Sequence, residues 1–213
     1  MSPITDLSAP PPIGSGPSPG RSGLLAAREF VEVRFGGTAE QGVILVGVVL
    51  AMAATRDHRY VVQTQTYGLD ARGGYGHSDV IISDQPIDYP ELQSADLLVA
   101  LCQDAAEGYS HLLTPASIFI FDSEEVTTPP PFGGTSYGIP FTRLAYEAVG
   151  EVVTAPNVLT LGAVVGIAGV VSAESLRKAV RATVPPGTEE ASARALELGL
   201  SLDTETWIRS RAC

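Results

Sequence analysis

FVEVRFGGTAEQGVILVGVVLAMAA, residues Phe30–Ala54, holds two different periodicities in one short segment. In Phe30–Phe35 the apolar Phe30, Val31, Val33 and Phe35 are interleaved with charged residues, as in an edge or half-buried strand. Gly36–Gly42, GGTAEQG, is a glycine-bounded turn. Val43–Ala54, VILVGVVLAMAA, exceeds a normal strand and ends in Ala and Met, so it predicts a helix. That helix is apolar nearly all round and is expected to be buried on most faces. Strand, turn and buried helix open an α/β domain.

Downstream, the same signals recur. Arg59–Thr66 predicts a second strand, Val80–Ile82 the centre of a third, Asp96–Cys102 a fourth and Ser117–Asp122 a fifth. Asp104–His111 predicts a short helix. Glu124–Thr135 holds three consecutive prolines and two glycines and reads as a loop. Ser136–Ile139 is a short strand before Pro140, and Thr142–Ala148 a helix. From Asn157, a candidate helix cap, runs an apolar helix with Gly162, Gly166 and Gly169 along one side, open to close approach. Ser172 caps another helix, Ala173–Arg181, with Glu174 at its start and Arg177, Lys178 and Arg181 toward its end, matching the helix dipole. Thr188–Leu200 is a last amphipathic helix. The alternation predicts an α/β, Rossmann-like three-layer domain with a mostly parallel sheet.

Composition sets the boundaries. Residues 1–27 are rich in Pro, Gly and Ser and are expected to be a disordered tail or an extended arm. The domain then covers 28–203, and 204–213 is a C-terminal tail. Hydrophobic residues make up 45% and charged residues 17% of the 213, which suits a large core and a surface partly covered by other subunits. A net charge of −11 disfavours nucleic acid and anionic membranes as partners. The apolar run Val43–Ala54 is too short to span a bilayer. The opening residues lack an apolar signal region, and the two distant cysteines, Cys102 and Cys213, suggest a reducing compartment, so a cytoplasmic protein is expected. Two cysteines cannot ligate an iron–sulfur cluster, and His58, His77 and His111 have no ligand spacing, so no metal site is expected.

Two segments are candidates for a ligand site. In GGTAEQG, backbone N–H groups at the start of the following helix could face an anion. The turn lacks the middle glycine of the dinucleotide fingerprint, Glu40 stands where a phosphate would sit, and no acid ends the second strand; Gln65 and Thr66 are there instead. A stand-alone NAD-dependent dehydrogenase is therefore the weaker reading, and a tight strand-to-helix turn the stronger one. The second segment is Thr66–Gly74, TYGLDARGG. Gly73 and Gly74 let a backbone or ligand approach closely, and Arg72 offers a fork either for a carboxylate or phosphate of a ligand or for an acid of its own or a neighbouring chain. Ser78–Asp84, SDVIISD, is a strand bracketed by Ser–Asp pairs, which alone indicates turn chemistry.

Taken together, these segments are specific. The strand and turn, TYGLDARGG, SDVIISD, the IDYP of Ile87–Pro90, the YGIP of Tyr137–Pro140 and the stretch Asn157–Ser172 resemble the gamma subunits of 2-oxoacid:ferredoxin oxidoreductases, over roughly residues 30 to 200. That family groups the pyruvate, 2-oxoglutarate, ketoisovalerate and indolepyruvate enzymes. The chain departs from the family turn at Ala39 and Glu40 but keeps Gln41 and Gly42.

The resemblance implies a non-catalytic subunit, inactive in isolation, of a complex that oxidatively decarboxylates a 2-oxoacid. Coenzyme A takes the acyl group and ferredoxin the electrons. Thiamine diphosphate, Mg²⁺ and [4Fe-4S] clusters are expected in the alpha, beta and, where present, delta subunits. No catalytic or metal residue is assigned to this chain. Tyr67, Arg72, Gly73, Gly74, Gln41 and Gly42 are the residues expected to contact coenzyme A, with clamping of the alpha subunit as the other role open to the Arg72 loop. A pure assembly subunit without a small-molecule site, or the corresponding subunit of an indolepyruvate-type enzyme, are the alternatives.

Overall fold

A computed structural model describes residues 21–66 and 74–210 of the chain. In chain order its elements are β1 (Phe30–Gly37), α1 (Val43–Arg56), β2 (Tyr60–Thr66), β3 (Gly76–Ser83), β4 (Ala95–Ala100), α2 (Gln103–Tyr109), β5 (Leu113–Asp122) and β6 (Thr135–Ile139). Four longer helices follow: α3 (Phe141–Val149), α4 (Ala155–Ala168), α5 (Ala173–Thr183) and α6 (Glu189–Leu200). A single turn, α7 (Thr204–Trp207), and a short strand, β7 (Ile208–Ser210), end the described chain.

The seven strands form one sheet in the order β2-β3-β1-β4-β5-β6-β7. β1, β4, β5 and β6 pair in parallel. β3 runs antiparallel to both β1 and β2, so β2 shares the direction of β1, and only β3 and β7 oppose the rest. The α/β fold and mostly parallel sheet expected from the sequence are therefore present, with β3 reversed: the nine residues between β2 and β3, 67–75, are fewer than the crossover of a dozen or so that a parallel neighbour needs.

The two sheet faces carry separate cores. Val31, Val33, Phe35, Leu97, Val99 and Ile120 face α1 and the helices from α3 onward. Leu98, Ala100, Phe119 and Phe121 face α2 through Ala105 and Ala106. This makes three layers. β1 is central rather than an edge or half-buried strand, and its polar alternates have partners inside the protein: Glu32, only 7% exposed, accepts from Gln93 N–H, and Arg34 is paired with Asp79. Phe30, which the alternation counts as apolar and inward, is exposed at the strand's start.

The apolar segment Ala39–Arg56, a 3-10 turn, Gly42 and α1 in succession, runs 18 residues with mean hydropathy 1.4, the length of a short membrane span, which Val43–Ala54 alone does not reach. Val46, Leu50, Ala53 and Ala54 on it are fully buried, so it packs as a core helix. α4 is buried on nearly every face and lies closest to α6. It begins at Ala155 with Pro156 in its first turn, two residues before Asn157, so Asn157 is not its cap. Gly162 and Gly166 face α6, whereas Gly169 ends the helix in the left-handed region (φ 67°) with its N–H on Val165 O. Ser172 caps α5 as expected, its Oγ accepting from Ser175 N–H. Asp57 holds that cap, accepting from the Ser172 N–H and hydroxyl at 2.6 Å each.

Two segments assigned to tails by composition pack onto the domain. The N–H groups of Leu24 and Leu25 donate to Ile167 O and Ala168 O at the end of α4, and the Leu25 side chain is in the core. At the other end β7 pairs with β6, and the Ser136 and Ser210 hydroxyls meet at 2.8 Å. A few well-placed backbone bonds suffice to fix such segments. The remainder of the expected N-terminal arm, residues 1–20, and residues 211–213 lie outside the described residues.

Candidate functional site

α1 and α2 leave the sheet toward opposite faces, and β1 and β4, which precede them, are neighbours. Open α/β sheets take ligands in the crevice beyond such strand ends. GGTAEQG lies there. A Cβ on Gly36 would stand 2.8 Å from the Tyr109 ring, and one on Gly37 2.7 Å from Gln41 Oε1, so both glycines are required by close approach. Gln41 accepts from Thr38 N–H through Oε1 at 2.9 Å and donates through Nε2 to Leu101 O. Its amide thus ties the turn to the end of β4. Gly42 has φ 62°, and a Cβ there would collide with the Asn157 amide. The two turn residues expected to meet a ligand are at the crevice, but their polar groups serve the fold.

The crevice itself has a volume of about 130 Å³ and is lined in part by Glu40, Gln41, Asp122, Thr142, Asn157 and Thr160. Pockets for whole cofactors run to roughly 300–1,000 Å³, so this space admits one side chain or a small group. Asp122 is buried at the end of β5 and accepts from Glu124 N–H at 2.9 Å. Burial pushes its carboxyl above the usual carboxylate range. Two acids in so small a space make it unfit for a phosphate.

A second cluster sits on the α2 face beside β3. Arg34 forms a bidentate pair with its cross-strand neighbour Asp79, at 2.7 and 2.6 Å, and its guanidinium lies 4.7 Å from the centre of the Tyr109 ring. His77 Nδ1 is 3.0 Å from Tyr109 Oη, and both His77 and Tyr75 meet the Tyr109 ring edge-on. Burial, then the Arg34 charge, pushes the His77 imidazole down, and burial pushes the Tyr109 phenol up to about 12. His77 is therefore a neutral hydrogen-bonding group at pH 7. Asp79→Ala would leave Arg34 with neither its fork partner nor water; a loss of about 3 kcal/mol is expected in urea unfolding of the isolated chain, and a loss below 1 kcal/mol would refute this role.

This cluster fixes the base of TYGLDARGG. β2 ends at Thr66 and β3 begins at Gly76, opposite Gly37 at the end of β1. Both flanks of the loop therefore emerge at the crevice end of the sheet. Gly74 is half-buried on the C-terminal flank, next to Tyr75. Tyr67, Arg72 and Gly73 lie outside the described residues. SDVIISD proves to be more than turn chemistry, since Asp79 holds Arg34 and Asp84 holds Arg59 at 2.6 Å. The sequence carried that signal as Arg34, set between the core residues Val33 and Phe35, and Arg59, just before β2, but without strand register their acids were not assignable. Cys102 is half-buried and burial raises its thiol. Among the described residues, no group of three His, Cys, Asp or Glu side chains is arranged to hold a metal ion.

Residues 32–202 match the family described as pyruvate ferredoxin/flavodoxin oxidoreductase. The 2-oxoglutarate synthase subunit KorC of Methanocaldococcus jannaschii is 41% identical over 177 residues, covering 82% of this chain and 94% of that one. The crystal structure of a keto/oxoacid ferredoxin oxidoreductase gamma subunit from Geobacter sulfurreducens superposes with a TM-score of 0.75 at 36% identity, covering 84% of this chain and 99% of that one. A 2-oxoglutarate:ferredoxin oxidoreductase from Magnetococcus marinus, solved with 2-oxoglutarate, coenzyme A and succinyl-CoA bound, shares the fold at TM-score 0.75 and 21% identity, over 87% of this chain and 33% of that one. With 41% identity to a subunit of nearly equal length and a family match over most of the domain, the chain belongs to the pyruvate ferredoxin/flavodoxin oxidoreductase family, as a gamma-type subunit.

Proposed function

We propose that the chain serves a cytoplasmic 2-oxoacid:ferredoxin oxidoreductase by bordering the coenzyme A path with its Tyr67–Gly74 loop. In the overall reaction the bond between the 2-oxoacid carbonyl and carboxylate breaks, releasing CO2. The acyl carbon bonds to the coenzyme A sulfur, whose S–H proton is released, and the electron pair left by decarboxylation passes to ferredoxin. Thiamine diphosphate with Mg²⁺ and the iron–sulfur clusters would supply that chemistry from the alpha, beta and any delta subunit. Nothing among the described residues fits those groups, since they offer neither a cluster's thiolates nor a cation's carboxylates.

The observation that carries the reading is the position of the loop flanks, Thr66 and Gly74–Gly76, at the crevice end of a rigid sheet braced by Arg34 and Asp79. A loop so based can present Arg72, with Gly73 and Gly74 giving room, to an anionic ligand passing over the crevice. The crevice is too small and too acidic to receive the ligand itself, which leaves Gln41 and Gly42 in a supporting role. The same acidity favours the second reading, an assembly subunit that touches no small molecule.

Arg72→Ala in the whole complex separates them. Loss of one charge-assisted fork is expected to raise the coenzyme A KM about tenfold, near 1.4 kcal/mol, with subunit stoichiometry unchanged. Lost assembly at unchanged KM would assign the loop to clamping a partner. If neither changes, Arg72 has no part in either role.

A further inference from the structure

The crevice end of the sheet carries a second feature that the loop does not explain. Val153, in the turn between α3 and α4, is 93% exposed, and Tyr146 on α3 is 59% exposed. Between them lies a shallow apolar depression of about 250 Å³, floored by Ala145 and Pro156. Val153 and Pro156 also line the 130 Å³ crevice, so the two hollows share one rim. A β-branched side chain left almost wholly in water at the shared edge of two hollows is an unfavourable surface for a free chain.

Among the described residues the charge lining this rim has one sign: Glu40 and Asp122 line the crevice, Glu151 lines the depression, and none of the described Lys, Arg or His residues lines either. The nearby cation, Arg143, is already engaged by Glu124 at 2.8 Å and by Glu147 at 3.6 Å. A group entering the crevice is thus met by two acids and by the hydrogen-bonding side chains of Asn157 and Thr160. Its volume fits one long side chain. A second copy of this chain is poorly suited, because with a net charge of −11 it would bring acids to acids.

We propose that this face docks a companion subunit of the complex, which inserts one arginine or lysine between Glu40 and Asp122 and lays an apolar side chain against Tyr146 and Val153. The pattern is that of a small interface anchor, an apolar contact beside a desolvated charge pair. It rests on the reading of the chain as a subunit, and it is distinct from the Arg72 loop, so the two can fail separately.

The test is co-expression of the full chain with the other subunits of its complex, one of them tagged, followed by native mass spectrometry and a salt series. The wild-type chain should be recovered in stoichiometric amount. Val153→Arg, which puts a cation against the incoming cation, should weaken binding at least tenfold, and Val153→Ala only a few-fold. Glu40→Arg should also weaken binding about tenfold, and Glu40→Gln should flatten the salt dependence. Both positions are exposed, so thermal melts of the isolated variants should match wild type. Glu190→Arg, at an exposed position at the start of α6 that lines neither hollow, should assemble normally. Full recovery of Val153→Arg and Glu40→Arg would overturn the docking face while leaving the subunit reading intact. A wild-type chain that fails to assemble would overturn both. Loss of self-association in place of subunit binding would assign the face to a second copy and overturn the proposal.

Discussion

Arg59→Leu is expected to destabilise the chain by about 3–5 kcal/mol in urea unfolding, the range for breaking a buried charge pair from one side. Arg59 sits between α1 and β2 and is 4% exposed. Its Nε donates to Asp84 Oδ1 at 2.6 Å, and its Nη2 donates to the carbonyls of Glu29 at 2.6 Å and Arg28 at 3.2 Å. Nη1 reaches Val170 O at 3.4 Å. One guanidinium therefore joins the start of β1, the end of β3 and the link between α4 and α5. Burial pushes its pKa down and the Asp84 charge opposes this, so the group stays cationic at any working pH. Leucine would fill the volume but leave a carboxylate and the carbonyls without donors. A domain of this kind has about 5–15 kcal/mol in total, so the variant would be unfolded or nearly so at 37 °C. Arg59→Lys should be intermediate, because an ammonium can keep the Asp84 contact but not span all four acceptors. A midpoint shift worth less than 1 kcal/mol for Arg59→Leu would show that water replaces the guanidinium and that the network is not structural.

Much of this was legible from residue types. Strand and helix periods located β1, α1, β4, β5 and α5 to within a few residues, because each buries a continuous apolar face. Ser172 was recognisable as a cap because its chemistry is local: hydroxyl, then an N–H three residues on. What failed was information stored in pairing. The reversed direction of β3 depends on its connection to β2, where the sequence offers a glycine-bearing loop but no hairpin turn of defined length. A glutamine in a glycine turn carries no mark of its partner, which for Gln41 is the carbonyl of Leu101, sixty residues away and just past the end of β4. Asp79 and Asp84 looked like turn residues for the same reason. The crevice acid Asp122 was visible as the last residue of its strand, but its burial and its distance from Glu40 in space were not. The preference for the Arg72 loop over the turn therefore remains a proposal, while the strand order and the reversed β3 are what the fold adds to the expected mostly parallel sheet.

The close contact between α4 and α6 yields the last large effect. Gly162 on α4 and Gly199 on α6 face each other across the most intimate helix pair of the domain. A Cβ on Gly162 would stand 2.5 Å from Leu196 O and 2.9 Å from Gly199 Cα, and one on Gly199 would collide with Leu159 O and lie 2.8 Å from Ala163 N. All four obstacles are backbone atoms, so no side chain can swing aside and the helices themselves must separate. α4 is buried on its other faces by the core, which leaves α6 to move and to expose Ala195 and Leu196. Gly199→Ala is expected to cost about 3 kcal/mol despite the better helix propensity of alanine, and Gly199→Leu to prevent folding. The double variant Gly162→Ala/Gly199→Ala should lose less than the two singles added together, because helices parted by the first methyl already accommodate the second. Gly133→Ala is the control: nothing lies within 4 Å of its Cβ position, and the change should fall within about 0.5 kcal/mol of wild type. Additive losses in the double variant would mean that each glycine is needed for its own backbone and not for the contact between the helices.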